Sequence, residues 1–272
     1  MRPLLVGAVI YDPKVTVIWE TIKEFFAENG CPIDCVFYTN YELQVDALLA
    51  GHVHIAWNSP LAWLDAQRRA DGKCRAVAMR DTDRDRVTRI VVSSDSHAKT
   101  VQDLRGKTLG VGAPDSPQAT LLPLHLLHQA GLEPGADFNV RRHDLLVGKH
   151  GDHVGGELEA LRSLERGVCD AAAILDLNWE LWCADGTADA RRYRVLASTP
   201  RFDHCNFTVL ASLPNETVDR WARVLFRMSY DHPAHREMMD LEGLKAWLPG
   251  RTSGYIDLAA AVEEQGFFAQ VG

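Results

Sequence analysis

The sequence predicts an α/β protein of two similarly built lobes with a ligand cleft between them. Strands and helices of ordinary length alternate along 272 residues, which is the grammar of parallel sheets. A weak internal repeat pairs DALLAGHVHIAWN (46–58) with RSLERGVCDAAAIL (162–175). Leu48 and Leu164 stand three residues before Gly51 and Gly167, and a strand with Ala56 or Ala172 follows. Helix–Gly–strand also recurs by coincidence in any α/β protein, so both readings stand. The late pattern turns mostly helical, which sends the chain out of lobe one near residue 90 and back near residue 204. The expected division is 1–90 plus 205–272 as lobe one and 91–204 as lobe two, with hinge strands near 89–94 and 205–210.

Taken in order, LLVGAVIY (4–11) reads as a strand and WETIKEFFAENG (19–30) as a helix stopped by Gly30. IDCVFYT, YELQVDALLAG and VHIAWN follow as strand, helix and strand. The grammar returns with RIVVSS, VQDLRG, KTLGVG, the helix LLPLHLLHQAG and DFNVRRHDL. ELEALRSLERG, VCDAAAIL, YRVLAST and CNFTVLASL come next, and helices run from NETVDRWARVLFRMSY to the end.

Composition narrows the function classes. A net charge of −8, without a basic stripe, argues against a nucleic-acid partner. No run approaches the ~20 apolar residues of a membrane span. The start, MRPLLVGAVIYDPK, lacks the long apolar core of a secretory signal. The expected location is cytoplasmic as written, and periplasmic if an upstream leader was removed. Six scattered cysteines read as thiols rather than a disulfide framework.

Two joints carry the first functional hint. IAWNSPLAWLDAQRR (55–69) and TLGVGAPDSPQATLLPLHLLHQAG (108–131) each lead a strand into a helix through a short turn of small polar residues. A helix start offers unpaired N–H groups and the positive end of its dipole. Asn58, Ser59, Ser116, Gln118 and Thr120 add side chains there. One such joint is an ordinary cap; two on opposite halves suggest a grip on a small anion.

YELQVDALLAGHVHIAWNSPLAW and TVQDLRGKTLGVGAPDSPQATLLP resemble the phosphonate-binding (PhnD-like) family of ABC-transporter substrate-binding proteins. The resemblance extends to LEGLKAWLPGRTSGY near the end. It implies the type 2 periplasmic-binding-protein fold and a ligand such as phosphonate, phosphite or phosphate. It also implies an ABC permease as partner if the chain is exported. Carried over by position, Tyr41 matches an aromatic at the lobe-one helix entry and Ser59 the helix-start turn. Ser116, Gln118 and Thr120 fall in the anion box, His153 near a lobe-two histidine, and Asp176 at an acidic residue after the lobe-two strand. The departures are Pro117, which removes a backbone donor, an amide in place of a hydroxyl, and RDRVTRIVV (84–92) where a tyrosine is often found. The ligand class is therefore a phosphonate- or phosphate-like oxyanion or a carboxylate.

RRHDLLVGKHGDHVGGELEAL (141–161) gathers His143, His150, Asp152, His153 and Glu157. His150, His153 and Glu157 are candidate ligands for a divalent metal, although their spacing matches no motif of fixed mechanics. The bland alternative is a polar loop with one ligand-contacting histidine. The catalytic alternative is a cytoplasmic lyase or decarboxylase on the same scaffold, since enzymes of this build exist. No G-x-S-x-G, P-loop or catalytic cysteine signature supports it.

Overall fold

The structure, a computed structural model, describes residues 2–145, 147–150 and 155–270. Its first elements are β1 (Leu4–Val9), α1 (Lys14–Glu28), β2 (Ile33–Tyr38), α2 (Tyr41–Leu49), β3 (Ile55–Asn58), α3 (Pro60–Arg69) and β4 (Cys74–Arg80). Then come β5 (Thr88–Ser93), β6 (Thr108–Val111), α4 (Leu122–Gln129), β7 (Asn139–Arg142), α5 (Glu157–Glu165), β8 (Ala171–Leu175), α6 (Asp176–Asp185) and β9 (Tyr193–Ser198). The chain closes with β10 (Asn206–Leu210), α7 (Asn215–Leu225), α8 (Pro233–Glu242), β11 (Trp247–Pro249), α9 (Ile256–Glu264) and α10 (Phe267–Gln270).

Two compact units result: Met1–Arg84 with Asp203–Tyr255, and Asp85–Phe202 with Ile256–Gly272. The chain thus passes between units three times. The sequence division put residues 205–272 in lobe one, whereas α9 belongs to the second unit. Its Glu264 carboxylate meets His125 of α4 at 2.8 Å, and Gln265 Nε2 donates to the Leu121 carbonyl at 2.9 Å. The segments 89–94 and 205–210 lie largely within β5 and β10.

The first sheet runs β11-β4-β10-β3-β1-β2 and the second β7-β6-β8-β5-β9. β1 is parallel to β2 and β3, as β6 is to β7 and β8. β10 is antiparallel to β3 and β4, as β5 is to β8 and β9. Without β11 the two sheets share one plan. Strand–helix alternation predicted parallel sheets, but each is mixed. β5 and β10 enter directly after the chain changes unit, with no crossover helix to return it to the same end of the sheet.

Each sheet is packed on both faces. In the first unit, α1 presents Val15, Ile18, Trp19, Ile22, Phe25 and Phe26 at helical spacing to one core. The helix starts at Lys14, earlier than expected, because the Asp12 carboxylate accepts the Lys14 N–H. It stops as predicted: Gly30 takes φ +71° and the Cys31 N–H returns to Phe26 O. α2 and α3 cover the other face with Val45, Leu48 and Trp63. In the second unit α4 and α5 serve the two faces through Leu124 and Leu127, and through Leu161 and Leu164.

The internal repeat is a structural one. Gly51 and Gly167 have φ of +73° and +69°, and their N–H groups donate to Leu48 O and Leu164 O at 3.1 and 3.0 Å. His52 N–H and Val168 N–H then close onto Ala47 O and Ser163 O, both at 2.8 Å. β4 and β11 were not foreseen, and LDLNWELW (175–182) runs from the last residue of β8 into α6.

Candidate functional site

In the first unit the strand-to-helix joint is capped from within. Ser59 Oγ accepts the Ala62 N–H at 3.1 Å and Pro60 occupies the first helical position. Asn58, Ser59 and Gln44 of α2 are fully buried. Gln44 Nε2 donates to Trp57 O and to Asn58 Oδ1, each at 2.8 Å, and Asn58 Nδ2 meets no partner among the described residues. Across the ladder, Asn206 stands opposite Asn58. Its amide donates to Tyr255 Oη, which donates to His204 O. Tyr41 opens α2 at 2% exposure and packs among Val9, Val45, Leu48 and Trp63.

The second unit's joint has the same Ser-Pro-x-Ala start and a wider turn. Ser116 Oγ accepts the Ala119 N–H at 3.2 Å. Residues Pro117–Leu121 form a π-type turn in which the Leu121 N–H reaches back to Ser116 O at 3.0 Å. Two neighbours hold the turn open: Thr88 Oγ1 donates to Gln118 O at 2.7 Å, and the Gly112 N–H donates to Ala119 O at 3.1 Å. Gln118 and Thr120 are buried, and Thr120 Oγ1 has no partner among the described residues.

Carboxyl groups crowd this joint. Glu157, fully buried at the start of α5, accepts from the Leu175 N–H at 2.8 Å and from Asn178 Nδ2 at 2.9 Å. Burial pushes its pKa up to about 8; Asn178, Leu175 and Gln118 oppose the shift by favouring the charged form. Asp176, first in α6, lies 3.5 Å from the Arg86 guanidinium. Burial also raises its pKa, with Arg86 the main opposing charge. Asp115 Oδ2 takes the N–H groups of Gly148 and His150 at 2.7 and 3.2 Å.

Sequence-derived candidates are thus distributed by unit. Tyr41, Asn58 and Ser59 lie in the first; Ser116, Gln118, Thr120, Glu157 and Asp176 gather in the second. His153 lies outside the described residues, so the expected metal triad is not described as a whole. Of its other members, His150 binds Asp115 through its backbone, and one Glu157 oxygen is taken by two N–H donors. Among the described residues one His/Cys/Asp/Glu trio converges, Asp83, His204 and Cys205. Both Asp83 oxygens are already bound by Arg80 and by the N–H groups of Arg80 and Cys205. That donor set describes an internal ion pair better than a metal site.

Gln44 and Asn206 escaped the sequence reading. Gln44 had one visible signal: a polar residue on the stripe Tyr41, Val45, Leu48 that faces the core. Asn206 had none, because its role depends on the register of β10.

The family model for the periplasmic substrate-binding protein of phosphonate ABC transporters matches residues 11–255. Structures similar to this one include PhnD1 of Prochlorococcus marinus, solved with methylphosphonate. It is 16% identical, with a TM-score of 0.68 and coverage of 97% of this chain and 98% of that one. A Xanthomonas citri protein solved with ATP is 17% identical, with a TM-score of 0.72 and the same coverage. A binding component of a Pseudomonas aeruginosa phosphonate transporter is 14% identical, with a TM-score of 0.64 over 96% and 86% of the two chains. At these identities the likeness is one of fold. An uncharacterized Haemophilus influenzae protein is 49% identical over 37 residues, 14% of this chain; the match spans 52% of that relative's length. None of these matches supports the lyase or decarboxylase alternative, and no helix among the described residues is long and apolar enough to cross a membrane.

Proposed function

Because the chain belongs to the family of periplasmic substrate-binding proteins of phosphonate ABC transporters, we propose that it binds a small oxyanion bearing a hydrogen-bond donor at its other end. Family membership implies a small ligand and a permease partner; periplasmic delivery to that permease is part of the proposal. The observation that carries it is a pair of buried polar atoms at helix-starting turns, Asn58 Nδ2 and Thr120 Oγ1, that no described protein group satisfies. Buried donors normally find partners, and in this reading a bound ligand supplies theirs.

In this reading Asn58, Ser59, Ser116, Gln118 and Thr120 supply N–H and O–H groups to the anionic head. Asp176, whose Oδ1 is likewise without a partner, takes an amine or hydroxyl. Glu157, mostly protonated at neutral pH, avoids adding a full charge beside the anion. His153 is retained as a further contact from the second unit. Release and uptake would proceed by bending where the chain changes unit, at 84–85, 202–203 and 255–256, rather than within β5 and β10 as the sequence suggested.

Thermal-shift and calorimetric titration with methylphosphonate, 2-aminoethylphosphonate, phosphate, methanesulfonate and acetate tests this. A bound ligand raises the melting temperature by mass action, and the amine-bearing phosphonate is expected to bind more tightly than methylphosphonate. If none of the five shifts the transition, the proposal fails. Binding of acetate alone would replace the oxyanion with a carboxylate.

A further inference from the structure

Among the groups behind the two joints, Gln44 does something that packing alone does not require. Its Nε2 sits 2.8 Å from Trp57 O and 2.8 Å from Asn58 Oδ1. A backbone carbonyl only accepts, so the Trp57 oxygen dictates which end of the Gln44 amide faces it. The same NH2 group then dictates the Asn58 amide: oxygen toward Gln44, nitrogen away from it. Turning the Asn58 amide over would set two NH2 groups against each other, and turning Gln44 over would press its oxygen onto Trp57 O at 2.8 Å. Asn58 is left fully buried with an NH2 group that no described residue accepts from.

β1 makes room for this arrangement. Gly7 pairs with Ala56 of β3, and a Cβ at Gly7 would lie 3.3 Å from Gln44 Cγ and 3.4 Å from Gln44 Oε1. A glycine inside a strand weakens it unless something must approach closely; here that something is the Gln44 side chain.

We infer that Gln44 is a positioning residue for anion recognition: it holds the Asn58 amide with its NH2 group turned to the bound oxyanion, and Gly7 provides the space. The inference rests on the reading of Asn58 as a ligand contact. Gln44 Oε1 also meets no partner among the described residues, but an amide oxygen only accepts and cannot serve an oxyanion, so Gln44 acts through Asn58.

A double-mutant cycle separates the two claims, with methylphosphonate and inorganic phosphate as probes in calorimetry. Asn58→Ala is expected to weaken binding about tenfold and Gln44→Met about fivefold, the scale of one buried hydrogen bond. In the Asn58→Ala background, Gln44→Met is expected to change affinity by less than about twofold, because its only route to the ligand is gone. If neither probe binds the native protein, or Asn58→Ala leaves affinity unchanged, the oxyanion reading falls and this inference with it. If Asn58→Ala weakens binding but Gln44→Met is silent, or costs the same in both backgrounds, the inference alone falls. Should Gln44→Met fail to fold, Gly7→Ala takes its place, with the same required dependence on Asn58.

Discussion

An offset of 116 residues, from Gly51 to Gly167, lays α2–β3 of the first unit on α5–β8 of the second. It aligns Tyr41 with Glu157, Gln44 with Ala160, Asn58 with Ile174, Ser59 with Leu175 and Pro60 with Asp176. The glycine stop, the buried alanines Ala56 and Ala172 and the strand order are common to both. The chemistry is not. In the first unit the frame holds neutral amides, Gln44 serving Asn58; in the second it holds carboxyls, Glu157 serving the Leu175 N–H. The backbone plan is set by the positions that turn and pack, and the positions it leaves free decide whether a unit offers donors or acceptors.

The largest expected effect comes where the two frames diverge in backbone. Strand pairing aligns Gly7 with Gly110, since they face Ala56 and Ala172, and hence Val9 with Gly112. The first unit accepts valine there. In the second, a Cβ on Gly112 would overlap Gly155 O and lie 2.6 Å from Ala119 Cβ, because the backbone ahead of α5 and the π-type turn both close onto this residue. Gly112→Ala is expected to cost more than ~3 kcal/mol, the range reserved for severe overpacking or loss of fold. Urea denaturation measures it; a cost below ~1 kcal/mol would show that the turn can relax and is no rigid feature.

Next in size is the charge contrast at Tyr41 and Glu157. The Glu157 pKa, about 8 when folded against an ordinary 4.5, means that the folded state binds the extra proton between those values. Stability therefore falls as pH rises from about 4.5 to 8, and the loss is complete above the folded pKa. Glu157→Gln removes this dependence while keeping an oxygen for the Leu175 N–H. It is expected to be several kcal/mol more stable than the native protein at pH 8 and nearly equal at pH 4.5. Parallel stability–pH curves would refute the buried neutral carboxyl.

The matched glycines sharpen the comparison at a smaller scale. A Cβ on Gly110 would meet Ala160 Cβ and Cys169 Sγ, both at 3.2 Å, groups fixed in the core. On Gly7 it meets Gln44 Cγ and Tyr38 Cε2, both at 3.3 Å, which belong to longer side chains with more freedom to shift. Gly110→Ala is expected to cost 1 to 2 kcal/mol, roughly, and Gly7→Ala about half that. Chemical denaturation of the two variants side by side would expose equal costs, which would deny the difference in neighbours.

The fold was legible because its determinants are local. Glycine stops such as Gly30 and Gly51 and the repeat at residues 46–58 and 162–175 act within a few residues of themselves. Antiparallel β5 and β10, and the transfer of α9 to the second unit, depend on pairings over long separations that local patterning does not record. The site divides in the same way. Ser59 and Ser116 announce themselves by Ser-Pro before an apolar run, and Asp176 by its place after a strand. Gln44 acts across fourteen positions, Asn206 through β-register, and Glu157 looks like a first-turn acid until its burial is known.

The smallest effects concern the two serines, the closest match between the joints and the sharpest question about their role. Each caps its helix by accepting one N–H, at 3.1 Å for Ser59 and 3.2 Å for Ser116. Loss of such a cap costs ~1 kcal/mol, so Ser59→Ala and Ser116→Ala should lower stability about equally. Capping uses each oxygen as acceptor, whereas binding an anion would use the hydroxyl proton. If both serines do both, each alanine variant loses about fivefold in affinity for methylphosphonate as well, one hydrogen bond's worth. Affinity is the discriminating measurement, because stability moves either way. An unchanged dissociation constant for Ser116→Ala would leave the second joint as a cap alone, and the anionic head would then rest chiefly on the first unit's amides.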